Sequence, residues 1–424
     1  MDMIKALNAE SAAERLEALA AIKKDTDAGL LPAPETTSYV NNHIHTTYSF
    51  SPYSPTKALY MAWQAGLVTA GIMDHDSISG AREFIKAGEI LGMPVTCGLE
   101  CRVDMSGTRL AGRRINNPDQ KSVAYCTLHG VPHQNIEALN DYFAPYREKR
   151  NKRNRAMTAR LSEIFASYGI TLDFERDVLP LSQHAEGGSV TERHLCYALA
   201  LKMAERFNEP ERLVSFLGDT LGLPLSGSAA DRLLAGRSTP QYYLYDVLGV
   251  LKSNFVERFY IDADEECPGA EEIVRVASRF GCILCYAYLG DVGSSVTGDK
   301  KSQKFEDDYL ELLFDEITEL GFNAVTYMPS RNSRQQLERV MELARSHGLF
   351  QVSGEDINSP RQKFICEALS DPLFAHLGEA TWALIGHEKA ATADIEDAMF
   401  SEKSRRLCPD LDERVSRYSR IGKQ

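Results

Sequence analysis

Short apolar runs of strand length recur along this chain, and most are followed by a stretch with helical spacing. Ser38–His45, Leu67–Met73, Pro94–Leu99, Val123–Leu128, Ile283–Tyr288, Asn323–Met328 and Leu349–Ser353 read as strands. Thr56–Ala65, Gly80–Leu91, Ala270–Phe280, Phe305–Leu320 and Arg334–Ser346 read as helices between them. This alternation is the signature of a parallel sheet or barrel covered by helices. The expected fold is therefore α/β, a parallel sheet or barrel of seven strands.

Two stretches depart from the alternation. Residues 101–122 carry Gly107, Gly112, Asn116-Asn117-Pro118 and the arginines Arg109, Arg113 and Arg114, and read as a long loop. Residues 134–262 are helical in pattern (Asn140–Tyr168, Arg193–Phe207, Glu211–Leu221, Gln241–Lys252) and read as an insertion. The expected organisation is an N-terminal helical appendage over 1–34 and a barrel over 35–133 and 263–424, with the insertion over 134–262. A C-terminal helical cap is expected over 361–400.

Each of the first four strands, and the last, delivers a group that can bind a metal or move a proton. His43 and His45, one residue apart in an extended strand, share a face and can reach one ion. Asp74 and His75 follow the second strand, Glu100 the third, His129 the fourth and Asp356 the last. In α/β barrels chemistry gathers at the C-terminal strand ends. A mixed imidazole and carboxylate set suits Zn²⁺, Mn²⁺ or Fe²⁺, one or two ions per chain.

The ordered array resembles the PHP family of metal-dependent phosphoesterases. It consists of H-x-H, then Asp74-His75-Asp76, Gly98-Leu99-Glu100, His129 and Gly354-Glu355-Asp356. The resemblance spans about residues 38–130 and 282–360. It implies a distorted seven-stranded barrel in which His43, His45, Glu100 and Asp356 hold one ion. His75 and His129 would hold a second beside Glu100, with Asp74 orienting a ligand. Thr191-Glu192-Arg193-His194 is similar to a T-R-x-H motif found in the insertion of some relatives. It implies that Arg193 and His194 face substrate, His194 as an acid or a phosphate contact; a plain helix-start residue is the alternative for His194. The departures from the family pattern are Phe50 where a ligand is usual, Tyr288 in place of a histidine, and Asn358 in place of the final histidine. Tyr288 and Asn358 then become candidate substrate contacts, as does Arg331 just after the sixth strand.

Other features carry weaker expectations. The basic run Arg147, Lys149, Arg150, Lys152 and Arg153 could line a phosphate cleft or form a solvated helix face. The turn His184–Gly188 could cover the site. A formal charge of −13 argues against a nucleic-acid binder with a wholly basic surface, so nucleic acid enters only as substrate. No apolar run is long enough to span a membrane, and no leader is evident at Met1–Lys5. The nine cysteines are scattered, and Cys282-x-x-Cys285 lies inside a strand, which suggests burial in a reducing, cytoplasmic setting. The leading expectation is a metal-dependent phosphoesterase acting on a small phosphorylated substrate. A hydrolase of C–N or C–O bonds and a non-catalytic ligand-binding barrel are the alternatives.

Overall fold

The computed structural model describes residues 3–292 and 303–424. One sheet holds seven strands in sequence order: β1 (Val40–Ile44), β2 (Thr69–His75), β3 (Val95–Asp104), β4 (Val123–His129), β5 (Ile283–Ala287), β6 (Ala324–Tyr327) and β7 (Phe350–Ser353). Neighbours are parallel except at β4, which runs antiparallel to both β3 and β5. The sheet curls into a half-barrel whose first strand meets the segment leaving the last. Ile44 bridges Ile357, with the His45 N–H donating to the Ile357 carbonyl at 2.9 Å and the Ile357 N–H to that of His43 at 3.1 Å. Gly354 permits this closeness, because a Cβ there would lie 2.6 Å from His43 Cβ.

The strict strand–helix alternation fails at β4. Strand β3 does not stop at Leu99 but continues to Asp104, and β4 returns along it from Val123. Cys97, Leu99, Cys101 and Val103 keep the period of two and are buried. The intervening Glu100 and Arg102 are also buried, so their polarity marks the second face of the strand and not its end.

The sheet's two faces have different cover. On one face Ile44, Ile72, Leu99, Leu128 and Leu284 join the large core beneath the helices that flank the strands. On the other, which carries Glu100, Ile283, Cys285, Ala324, Phe350 and Val352 pack with Ala380, Ala383 and Leu384 of helix Ala375–Ala393. Asn42 Nδ2 donates to Thr381 Oγ1 and Thr96 Oγ1 to Glu388 Oε2, each at 2.8 Å. The C-terminal helix expected as a cap thus fills the inner face of the curl, below the strand ends where β1 and Ile357 meet.

Between β4 and β5 run helices Ile136–Phe165, Glu192–Arg206, Pro210–Ser215, Gly227–Leu234 and Pro240–Asn254. They gather a second apolar core that includes Leu161, Phe165, Leu199, Leu251 and Phe255. The helix expected over 211–221 ends at Ser215 and finishes in a π turn, Phe216–Thr220. The helix expected from Phe305 begins at Leu310, after a 3-10 turn at Asp307–Tyr309. Among the described residues no helix is long and apolar enough to cross a membrane.

The N-terminal helices Met3–Ala6 and Ala12–Asp27 place Leu7, Leu19 and Ile22 in the large core. Arg15 clasps Glu83 of helix Ala81–Leu91 with two hydrogen bonds, at 2.8 and 2.5 Å, and the two side chains are only 7% and 6% exposed. Removing one member of a buried pair strands the other charge. Arg15→Ala should therefore lower unfolding stability by about 3 kcal/mol in urea titration. A loss below about 0.5 kcal/mol would show the clasp to be incidental.

Candidate metal centre

The strand ends bring five of the expected groups together. His43 Nε2, His45 Nε2 and His75 Nδ1 lie 3.6, 3.9 and 3.2 Å from the same oxygen, Glu100 Oε2. His45 Nε2 also lies 3.2 Å from Asp356 Oδ1. One donor atom from each of His43, His45 and Glu100 falls within 4.8 Å of the other two. A register shift in β1 between Asn41 and Ile44 accompanies this crowding, and the His43 and His45 ring centroids are 5.1 Å apart.

The electrostatics follow from the crowding. Burial pushes the Glu100 carboxyl up, but His75, His43 and His45 outweigh it and hold it down at about 2. Burial raises Asp356 too, yet His45, His43 and Arg193 keep it well below the usual carboxylate range. Burial holds His75 down at about 3, so its ring is neutral and keeps a lone pair at pH 7. Burial also pulls His43 down, but the Glu100 carboxylate beside it wins and its pKa is raised.

The donors fit a divalent ion. His45 Nε2 is buried with no hydrogen-bond partner among the described residues, although Asp356 Oδ1 is only 3.2 Å away. Two donor atoms that approach without bonding each other are suited to a shared third body. Asn358 Oδ1 is likewise buried and without a hydrogen bond among the described residues, while its Nδ2 donates to Asp356 Oδ1 at 2.6 Å.

Asp74 does not face this pocket as an acid or base. Its Oδ1 accepts from the Thr46 N–H at 2.7 Å and from Ser49 Oγ at 2.6 Å, and its Oδ2 accepts from Thr46 Oγ1 at 2.6 Å. Because the Ser49 hydrogen goes to Asp74, Ser49 Oγ accepts from His45 Nδ1, 3.2 Å away. That places the His45 proton on Nδ1 and leaves Nε2 as a lone pair. Sequence reasoning missed Ser49 and Thr46, whose hydroxyls sit in the segment just after β1. The one available signal was a hydroxyl residue four positions after a candidate ligand.

The remaining candidates lie around this cluster or beyond it. His129 ends β4, but because that strand is antiparallel its end lies opposite Gly98, two residues before Glu100. It is buried one layer lower, its Nε2 without a hydrogen bond among the described residues. Burial, with His43 nearby, holds its pKa at about 3. The strand-end argument for His129 therefore fails. His194 caps helix Glu192–Arg206: its Nδ1 accepts from the Thr191 N–H at 2.9 Å, and its ring packs edge-on to Phe50 at 5.0 Å. Phe50 is buried in the second apolar core. The Tyr288 hydroxyl donates to Asp307 Oδ1 at 2.6 Å, so it braces the segment after β5. Arg331 Nε donates to the Leu289 carbonyl at 3.2 Å. Arg193 is half-buried and makes no hydrogen bond or ion pair among the described residues, yet its charge reaches Asp356.

The basic run forms no open phosphate cleft. Arg150 pairs with Asp76 and Glu192, and Arg153 with Glu192 and Glu266, as does Arg102 of β3, all nearly buried. The loop arginines are also occupied: Arg109 by Glu316 and Glu319, Arg113 by the Tyr309 ring, Arg114 by the Pro118 carbonyl. The turn at 184–188 packs on loops beside the pocket, where Ser77 Oγ donates to the Gly187 carbonyl and the Ser189 N–H to that of Tyr48.

Two solved structures share this fold. One is a candidate metal-dependent phosphoesterase from Bifidobacterium adolescentis, 19% identical with a TM-score of 0.52, covering 81% of this chain and 96% of its own. The other is an amidohydrolase from Chromobacterium violaceum with bound sulfate and no metal, 18% identical with a TM-score of 0.52, covering 78% and 90%. At these identities the likeness is one of fold. No family model matches the chain, and no curated protein matches it.

Ser49→Ala should weaken retention of Mn²⁺ or Zn²⁺ by about tenfold or more in chelator competition, because His45 loses the partner that fixes its tautomer. Unchanged affinity would mean that Ser49 only packs the loop.

Proposed function

We propose that this chain is a metal-dependent hydrolase, and that its substrate is a phosphate ester. The observation that carries the reading is the convergence of three imidazoles on one oxygen of Glu100, with Asp356 against His45. His43, His45, Glu100 and Asp356 would hold one divalent ion, and His75 a second beside Glu100. Such ions lower the pKa of water and offset charge on a phosphoryl oxygen.

The chain's own residues supply the rest. The Asp74–Ser49–His45 relay keeps a ligand lone pair aimed inward. Burial of the donors limits competing water, and the low pKa of Glu100 keeps it ionised and able to bind a cation. Arg193 favours phosphate over a neutral amide. Its guanidinium lies within electrostatic reach of Asp356, with its five donors uncommitted among the described residues, and is suited to a bidentate grip on an anionic oxygen pair. The fold shared with a candidate phosphoesterase is consistent with this preference. His194 Nδ1 caps its helix, which leaves only Nε2 for a substrate contact.

Glu100→Gln keeps the shape but removes the charge that faces both proposed ions. It should drop hydrolysis of phosphate monoesters in the presence of Mn²⁺ to below about 1% of wild type. Arg193→Ala should chiefly raise KM for the same esters. Activity confined to amides or lactones, with Arg193→Ala indifferent, would move the assignment to C–N or C–O bonds.

A further inference from the structure

His75 is the last residue of β2, and the backbone turns sharply at its neighbour. Asp76 has φ of +51°, in the left-handed region that side chains other than glycine rarely enter. Its N–H donates to the Glu100 carbonyl at 2.8 Å, so the turn at Asp76 ties the end of β2 to the residue at the centre of the pocket. The two remaining polar groups of Asp76 are both held from outside the sheet. Arg147 Nη1 donates to its carbonyl at 2.8 Å, and Arg150 Nη1 to its Oδ2 at 2.5 Å. Both arginines lie on one helix, Ile136–Phe165, and their side chains are nearly buried.

We propose that Arg150, with Arg147 beside it, is a positioning residue for the metal pocket: it holds Asp76 in the left-handed turn that aims His75 at Glu100. The inference rests on the metal reading above and extends it to the inserted helices, two of whose arginines hold Asp76 beside the pocket. Arg150 serves a second partner as well. Its Nη2 donates to Glu192 Oε2 at 2.9 Å, and Glu192 opens the helix that carries Arg193. One guanidinium therefore fixes both the turn behind His75 and the helix start that carries Arg193. Arg102 and Arg153 complete the setting by pairing with Glu192 and Glu266, so Arg150 lies in a network of three guanidinium groups and three carboxylates. Such groups have no slack, since each is buried and each holds at least one opposite charge.

The test separates holding a backbone turn from merely adding stability. Asp76→Ala and Asp76→Gly both delete the carboxylate that Arg150 grips, but only glycine enters the left-handed turn unaided. Full-length wild type, both variants and Arg150→Met are titrated with Mn²⁺ against a competing chelator, well below their melting temperatures. The expected result is a loss of Mn²⁺ affinity of about tenfold or more in Asp76→Ala and Arg150→Met, with Asp76→Gly within about threefold of wild type. Equal affinities in Asp76→Ala and Asp76→Gly would overturn the proposal, as would full affinity in Arg150→Met with only a lower melting temperature. If Arg150→Met fails to fold, the alanine and glycine pair still decides. Wild type that binds no Mn²⁺ would overturn the metal reading itself, a different outcome from wild type that binds and variants that do not differ.

Discussion

Glu100 keeps its charge in a place where a lone carboxylate would lose it. It is nearly buried on the inner face of a curled sheet, where desolvation favours the neutral acid. Three imidazoles from the ends of β1 and β2 reverse that preference. The rest of the pocket is arranged around the same balance. Gly354 lets the chain leaving β7 lie against His43, which brings Asp356 to His45. Ser49, held by Asp74, sets the His45 ring. A cluster of donors that face one another without bonding is costly in an apolar protein interior, and a divalent cation among them would remove most of that cost.

The inserted helices are joined to the sheet by charge as well as by apolar packing. Arg102 from β3, Arg150 and Arg153 from the long helix, and Asp76, Glu192 and Glu266 make a nearly buried and charge-balanced set. Such networks add little net stability over an apolar replacement, because desolvation offsets most of the attraction. What they do supply is geometry, since a shifted helix would leave a buried charge without its partner. Phe50 makes the complementary apolar link, leaving the loop after β1 to join the insertion's own core beside His194, Tyr197 and Tyr245. Phe50 thus has a plain physical use.

Strand positions and the cluster of His43, His45, His75, Glu100 and Asp356 are legible in the sequence because both depend on local pattern. Period-two burial marks a strand, and a polar group closing an apolar run marks its end. Strand direction is a different kind of fact. Nothing within Val123–His129 distinguishes a strand that runs with β3 from one that returns along it, so pattern alone does not show that His129 lies one layer below Glu100. The same limit governs the basic run, whose partners Glu192 and Glu266 lie about 40 and 110 residues away and leave no local trace. Tyr288 and His194 escape pattern reading for a related reason. A side chain's first obligation is its own hydrogen bond, and theirs are met by Asp307 and by a helix start. Helix Ala375–Ala393 reads as a cap because its apolar positions reveal burial and not which face of the sheet they bury.

The central claim is that these donors bind a divalent ion, and metal content tests it most directly. Wild type and His45→Ala would each be incubated with Mn²⁺ or Zn²⁺, freed of excess ion and measured by elemental analysis. The account predicts tightly held metal in wild type and its loss in His45→Ala, because His45 touches both carboxylates of the pocket. Wild type that retains no metal, or a variant that retains as much as wild type, would contradict it.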